Sequence, residues 1–179
     1  MLFSRKHLKE SVTSRLVIET PLGLINLFFS DRGLMGLVFA AGNDRKQEAS
    51  ADPAAAIQAL PKDKLKTWQH LVVQALEDFF SGKPIDIKAL PLDLQGSAFH
   101  LKVWRELQKI PYGAKISYKE LAARAGSPKG FRAVGQANGA NPIPLIIPCH
   151  RVIAADGSLG GYSSGLHRKK WLLEHEKAI

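Results

Sequence analysis

The sequence predicts an α+β protein: a small N-terminal antiparallel sheet with a covering helix, then a mostly helical C-terminal domain containing a helix-turn-helix. Three observations carry that prediction. Residues 14–41 alternate β-branched and aromatic runs with turn chemistry, residues 62–80 space apolar side chains as a helix does, and residues 117–139 read as two short helices around a glycine turn. A chain of 179 residues, 45% hydrophobic and 23% charged, has globular composition. The reading divides it into a supporting domain, 1–90, and a second domain, 91–179.

In the first domain the runs SRLVIET, GLINLFF and GLMGLVFA are separated by Pro21-Leu22-Gly23 and by Ser30-Asp31-Arg32-Gly33. Both separators are turn-forming, which predicts an antiparallel meander. Residues 42–56 are polar and Ala-rich and read as a surface connection. Leu65, Trp68, Leu71, Val72, Ala75, Leu76 and Phe79 then form the apolar face of a helix that covers one side of the sheet. Gly82, Pro84 and an extended Ile85 to Leu94 read as the crossing between domains.

The second domain opens with Gly96-Ser97 before the amphipathic stripe Phe99, Val103, Trp104, Leu107 and Ile110, which Pro111 stops. Ser117-Tyr118-Lys119-Glu120 has the form of a capping box, so a helix from Tyr118 to Ala125 is expected, ended by Gly126. After the turn Ser127-Pro128-Lys129-Gly130, Phe131 to Gly139 forms a second helix rich in small residues. Its one long cation is Arg132. Helix pairs of this kind occur in domains that never touch DNA, and small residues admit a neighbouring helix as readily as a duplex. The pattern alone leaves both readings open, and leaves Arg132 open to being an ordinary surface arginine.

Charge favours a polyanion. Residues 1–90 carry 12 basic and 10 acidic groups, residues 91–179 carry 13 and 6, so the second domain holds +7 of the net +9. No stretch has the roughly 18 apolar residues of a membrane span, and the opening MLFSRKHLKE lacks an apolar signal core. An intracellular, cytoplasmic location is expected, with no membrane partner. The single cysteine, Cys149, excludes an intramolecular disulfide and fits a reducing compartment.

Residues 141–153, Asn-Pro-Ile-Pro-Leu-Ile-Ile-Pro-Cys-His-Arg-Val-Ile, enclose an apolar run between prolines, so a regular helix is excluded and an extended path is expected. Most lone cysteines are inert buried hydrophobes. A nucleophilic thiol instead needs a base and a positive neighbourhood, which His150 and Arg151 are placed to supply if they meet Cys149 in space.

Pro148-Cys149-His150-Arg151-Val152, preceded by Asn141-Pro142 and Ile146-Ile147, resembles the active-site signature of the O6-alkylguanine-DNA alkyltransferases, or methylated-DNA-protein-cysteine methyltransferases. The likeness runs over nearly all of 96–176, through GSAFHLKVWREL, IPYGAKISYKELA, RAVGQANGANP, IIPCHRVI, GSLGGYSSG and the closing WLLEHE. The N-terminal half shares only the order of strands and helix.

The resemblance implies a protein that flips O6-alkylguanine out of a duplex, with O4-alkylthymine as a further candidate, and keeps the alkyl group on one cysteine, irreversibly and once per molecule. By position, Cys149 is the acceptor, His150 takes its proton through a water, Glu176 orients His150, Asn141 holds the turn before the cysteine, and Tyr118 donates to the departing purine. Arg132 fills the space left by the flipped base, with Ala133, Gly135, Gln136, Ser117 and Arg151 at the DNA and the second helix in the minor groove. Pro144, Tyr162, Ser163 and Ser164 line the alkyl pocket, and Val152 contacts the base through its backbone. No cofactor is implied. No metal is expected either, because the zinc some members carry needs N-terminal cysteines absent here. The expected partner is double-stranded DNA bearing the lesion, bound by a chain that is monomeric when free. Two alternatives stand beside this reading. One is a module that binds alkylguanine lesions without transferring the group, and the other a cysteine hydrolase using Cys149 and His150.

Overall fold

A computed structural model of the chain describes residues 12–40 and 62–179. The expected surface connection at 42–56 lies outside the described residues. The chain divides into two compact units, Met1–Leu94 and Gln95–Ile179.

In the first unit β1 (Ser14–Thr20), β2 (Gly23–Phe29) and β3 (Leu34–Phe39) form an antiparallel meander in the order β1-β2-β3. Leu16 pairs with Leu27, and Ile25 with both Ile18 and Phe39. Alternation puts Ile25, Leu27 and Phe29 on one face of β2, all fully buried. Burying each such side chain is worth about 1.5–3 kcal/mol. Helix α1 (Lys62–Phe80) buries Val72, Leu76 and Phe79 from the face the sequence predicts, but Leu71, placed on that face by its spacing, is exposed. Its Gln69 Nε2 donates to Ser14 Oγ at 2.9 Å, tying it to β1.

The segment read as a crossing differs from expectation. Ile87–Ala89 forms a single 3-10 turn, and the residues after it are stitched to β3. Leu34 N donates to Pro91 O (2.7 Å) and Asp93 N to Leu34 O (2.8 Å). Asp93, buried, accepts from Ser30 Oγ at 2.7 Å and pairs with Arg32 at 3.1 Å. Gly33 is obligatory there: its φ is +147°, and a Cβ would lie 2.3 Å from Pro91 O. Local periodicity cannot announce a pairing between residues about sixty positions apart.

The second unit contains α2 (Ala98–Leu107), β4 (Ile116–Ser117), α3 (Tyr118–Arg124), α4 (Phe131–Gly139), a 3-10 turn at Cys149–Arg151, β5 (Val152–Ile153) and α5 (Leu166–His175). Ser97 caps α2, accepting from His100 N. Val103, Trp104, Leu107, Leu121, Val134, Ala137, Leu172 and Leu173 make the core. Trp104 Nε1 donates to Ala137 O at 2.8 Å, fastening α2 to α4. α3, the turn and α4 form the expected helix-turn-helix. The capping box is only half made. Ser117 Oγ accepts from Glu120 N at 3.1 Å, but the Glu120 carboxylate pairs with Arg124 at 2.6 Å.

β4 and β5 pair in parallel, Ile116 with Val152 and Ser117 with Ile153. Because β4 runs straight into α3 and β5 follows the cysteine turn, this short ladder brings the start of α3 beside Cys149.

Candidate active site

Residues 141–148, leading to Cys149, are turned rather than extended, which corrects the expectation from their prolines. Asn141 causes the turn. Its Oδ1 accepts from Ile143 N (3.0 Å) and its Nδ2 donates to Ile147 O (2.7 Å), while Ile147 N closes onto Ile143 O at 2.9 Å. Leu145, at the apex, takes a left-handed φ of +76° and is held there by burial. The prolines forbid a helix but permit a turn whose amides are bonded from a side chain. Pro144 and Val152 are buried in this segment.

Cys149 is a free thiol, 2% exposed, at the start of the 3-10 turn. Burial pushes it up to about 11, against the opposing influence of Asn141, the Lys169 charge and the Tyr162 hydroxyl. It is therefore a thiol near neutral pH and must shed a proton to react.

Next to it in sequence, His150 Nε2 lies 2.9 Å from Glu176 Oε1, both side chains fully buried. An ionised carboxylate only accepts, so Nε2 carries the hydrogen and Nδ1 the free lone pair. Nδ1 is buried with no hydrogen-bond partner. Burial lowers the His150 pKa, opposed by Glu176, so the ring is neutral and available as a base. Among the described residues no direct hydrogen bond joins His150 to Cys149.

Arg151 departs from expectation in both its roles. Instead of facing DNA or enriching positive charge at the thiol, it is buried. Nε and Nη2 fork onto Glu176 at 2.8 and 2.9 Å, and Nη1 donates to Ile110 O at 2.6 Å. Glu176 also accepts from Gly113 N at 3.2 Å. Burial alone would raise Glu176, but the hydrogen bonds and charges of His150 and Arg151 hold it at about 2.

The cation that acts on the thiol is Lys169, which sequence reasoning missed. It is fully buried, its Nζ donating to Val152 O at 2.6 Å, to Leu159 O and to Gly161 O at 3.3 Å. Burial lowers it to about 8, opposed by Cys149. A signal existed: Lys169, Leu172, Leu173 and Glu176 follow the spacing of one helix face, so two charged residues stand on an apolar stripe.

Tyr118 begins α3. Its ring lies between two glycines: a Cβ on Gly160 would approach it to 3.0 Å, and one on Gly135 to 3.8 Å. Its hydroxyl donates to Gly161 O at 3.4 Å. Of the loop residues, Tyr162 turns a buried hydroxyl inward, where burial and Cys149 raise its pKa well above the usual value. Ser163 is exposed, and Ser164 holds Arg168 Nη1 through its carbonyl at 2.8 Å.

On α4 Arg132, Ala133 and Gln136 are exposed. The small residues do not form one stripe, however. Ala137 is in the core and Gly135 backs onto Tyr118, leaving Ala133 and Gly139 at the surface. Ser117 spends its hydroxyl as the α3 cap. Among the described residues no group of three or more His, Cys, Asp or Glu is arranged to hold a metal, and no helix is long and apolar enough to cross a membrane.

A helix-turn-helix domain with a buried cysteine beside a His–Glu pair has the build of a DNA-directed cysteine acceptor. Known proteins agree. Residues 98–178 match the 6-O-methylguanine DNA methyltransferase DNA binding domain, and residues 15–94 match the ribonuclease-like domain of the same name. A methylated-DNA–protein-cysteine methyltransferase of Methanosarcina barkeri is 41% identical over 90% of this chain and 95% of its own length. That of Rattus norvegicus is 36% identical over 89% and 80%. The crystal structure of Mycobacterium tuberculosis OGT in complex with DNA superposes with a TM-score of 0.71 at 38% identity, covering 90% of this chain and 91% of that one. The chain belongs to the 6-O-methylguanine DNA methyltransferase family.

Proposed function

We infer that the chain repairs DNA by direct reversal, moving the alkyl group of O6-alkylguanine irreversibly onto Cys149, one group per molecule. The carrying observation is the site's build: a buried thiol next to a neutral histidine whose far nitrogen is held by Glu176. The alternative of a lesion-binding module without transfer leaves those three residues without a task.

In this reading His150 Nδ1 takes the thiol proton through a bridging water, and Glu176 stabilises the imidazolium so formed. Lys169 steadies the thiolate. Sγ attacks the alkyl carbon, the bond from carbon to O6 breaks, its electron pair passes to the purine, and Tyr118 supplies the purine with a proton. Nothing restores the thiol, so the protein is consumed. Asn141 fixes the turn that aims Cys149, while Pro144, Val152, Tyr162, Ser163 and Ser164 surround the flipped base. Arg132, with Ala133, Gly135, Gln136 and Ser117 near it, meets the minor groove, and Arg132 enters the stack. Extrusion costs a few kcal/mol, which an inserted side chain and phosphate contacts offset. O4-alkylthymine is a second candidate lesion, and the place of work is the cytoplasm.

Intact mass after incubation with duplex DNA bearing O6-methylguanine tests the reading. One methyl gained stoichiometrically, mapped to Cys149, is expected. Unchanged mass with the lesion bound would establish the binding module instead, and catalytic turnover with unchanged mass the hydrolase.

A further inference from the structure

We propose that Phe131 is an apolar DNA contact of α4: its exposed ring wedges into the minor groove at the base step beside the one Arg132 enters. The proposal rests on the reading of α4 as the helix that meets the groove, and it adds a residue one position before the matching block RAVGQANGANP.

Single aliphatic side chains scattered over a surface are ordinary. Phe131 differs from them. It is 52% exposed, and among the described residues no other Phe, Trp or Tyr is exposed. It opens α4 without serving the core, since that helix buries Val134, Ala137 and Asn138. Lys129, Arg132 and Ala133 around it are exposed as well. The ring thus stands between two cations, in the half of the chain that holds +7 of the net +9. Duplex DNA fits this combination, because apolar sugar and base surface lies in its groove between two rows of phosphates. A second copy of the chain would instead set two cationic faces against each other.

Placement on the helix decides what the ring can do. With about 3.6 residues per turn, Arg132 lines up with Gln136 and Gly139, whereas Phe131 lines up with Gly135. Gly135 backs onto Tyr118, whose ring a Cβ there would approach to 3.8 Å. Phe131 therefore lies on the Tyr118 side of Arg132. Ala133 and Gly139 are the small residues of the exposed face, and they let the helix backbone come close to the duplex. The minor groove is only about 6 Å wide, so a phenyl ring carried in at that distance has no room between the walls unless the groove opens. Apolar side chains of minor-groove binders open it by partly unstacking one base step. Phe131 props that step while Arg132 fills the neighbouring gap, from which a nucleotide leaves toward Tyr118.

Binding to duplex without a lesion tests this, because no alkyl group is then available for transfer. In anisotropy titrations Phe131→Ala is expected to bind about ten-fold more weakly than wild type, the scale of one base–aromatic contact. The slope of log affinity against log salt should be unchanged, since an apolar contact releases no counterion. Energy transfer between dyes at the duplex ends should report less bending with Phe131→Ala, and Phe131→Leu, still an apolar wedge, should keep most of the affinity and the bend. The urea midpoint should stay put, because the ring is outside the core. Wild-type affinity in Phe131→Ala overturns the proposal, as does a loss of affinity with unchanged bending or with a reduced salt slope. Unchanged affinity with altered sedimentation would assign the ring to a contact between copies of this chain and overturn it too. A loss in Arg132→Ala with none in Phe131→Ala overturns the proposal alone, whereas no loss in either also takes α4 out of the groove.

Discussion

Two arginines of the second unit stand nineteen positions apart in sequence and at opposite extremes of environment. Arg132 opens the exposed side of α4 and has no hydrogen-bond or ion-pair partner among the described residues. Arg151 is 7% exposed and makes three hydrogen bonds, two of them to Glu176. An unpaired cation at the surface retains its charge for a polyanion, whereas a forked, buried one has already spent it on a neighbour. Positive charge in this unit therefore has two uses, and formal net charge counts them alike.

Removing Cys149, the proposed acceptor, has the largest expected effect and touches neither arginine. Cys149→Ala should abolish alkyl transfer, as read by intact mass, while affinity for lesion-bearing duplex stays close to that of wild type. Transfer surviving in that variant would remove the acceptor assignment.

Arg151→Ala comes next, through folding. It leaves Glu176 buried with half its donors, and breaking a buried pair of this kind costs about 3–5 kcal/mol, measurable as a lower urea midpoint. Transfer should fall even to free O6-benzylguanine, because Glu176 no longer holds His150 in one place. Arg132→Ala should reverse the pattern. Its urea midpoint stays put and free-base reactivity is unchanged, but repair in duplex slows about 10- to 100-fold, the equivalent of losing part of the extrusion energy. A steep decline of wild-type binding with salt belongs to this same surface. If the two variants behaved alike, the contrast between spent and retained charge would be void.

The sequence made much of this legible, for reasons specific to each element. The strands and α1 repeat with local periods, and α3 and α4 are bracketed by Ser117, Gly126 and Gly130, so their bounds can be read within a few residues. Cys149, His150 and Glu176 stood out through a motif. Illegible were features set by partners distant in the chain. Arg151 could not be distinguished from a DNA contact without Glu176 and Ile110, and the stitching of Asp93 to Ser30 spans 63 positions. Lys169 was hidden by its type, since lysines are almost never buried. Only its place on the stripe with Leu172 and Leu173 marked it.

The smallest expected effect separates the two regions by pH. Glu176 is held at about 2 against an ordinary 4.5, so its pairing stabilises the folded chain fully above the unfolded value and loses that contribution as pH falls through about 2. The comparison is between wild type and Glu176→Gln, so that every other carboxylate is common to both chains. At pH 7 the variant should be the less stable by urea unfolding. The gap should narrow below pH 4.5 by an amount on the order of 2 kcal/mol, because only wild type has a carboxylate to protonate. Arg132→Ala, which pairs with no titrating group among the described residues, should run parallel to wild type throughout. A Glu176→Gln gap that stayed constant down to pH 2 would mean that the carboxylate's charge contributes nothing to the buried cluster and that shape alone holds His150.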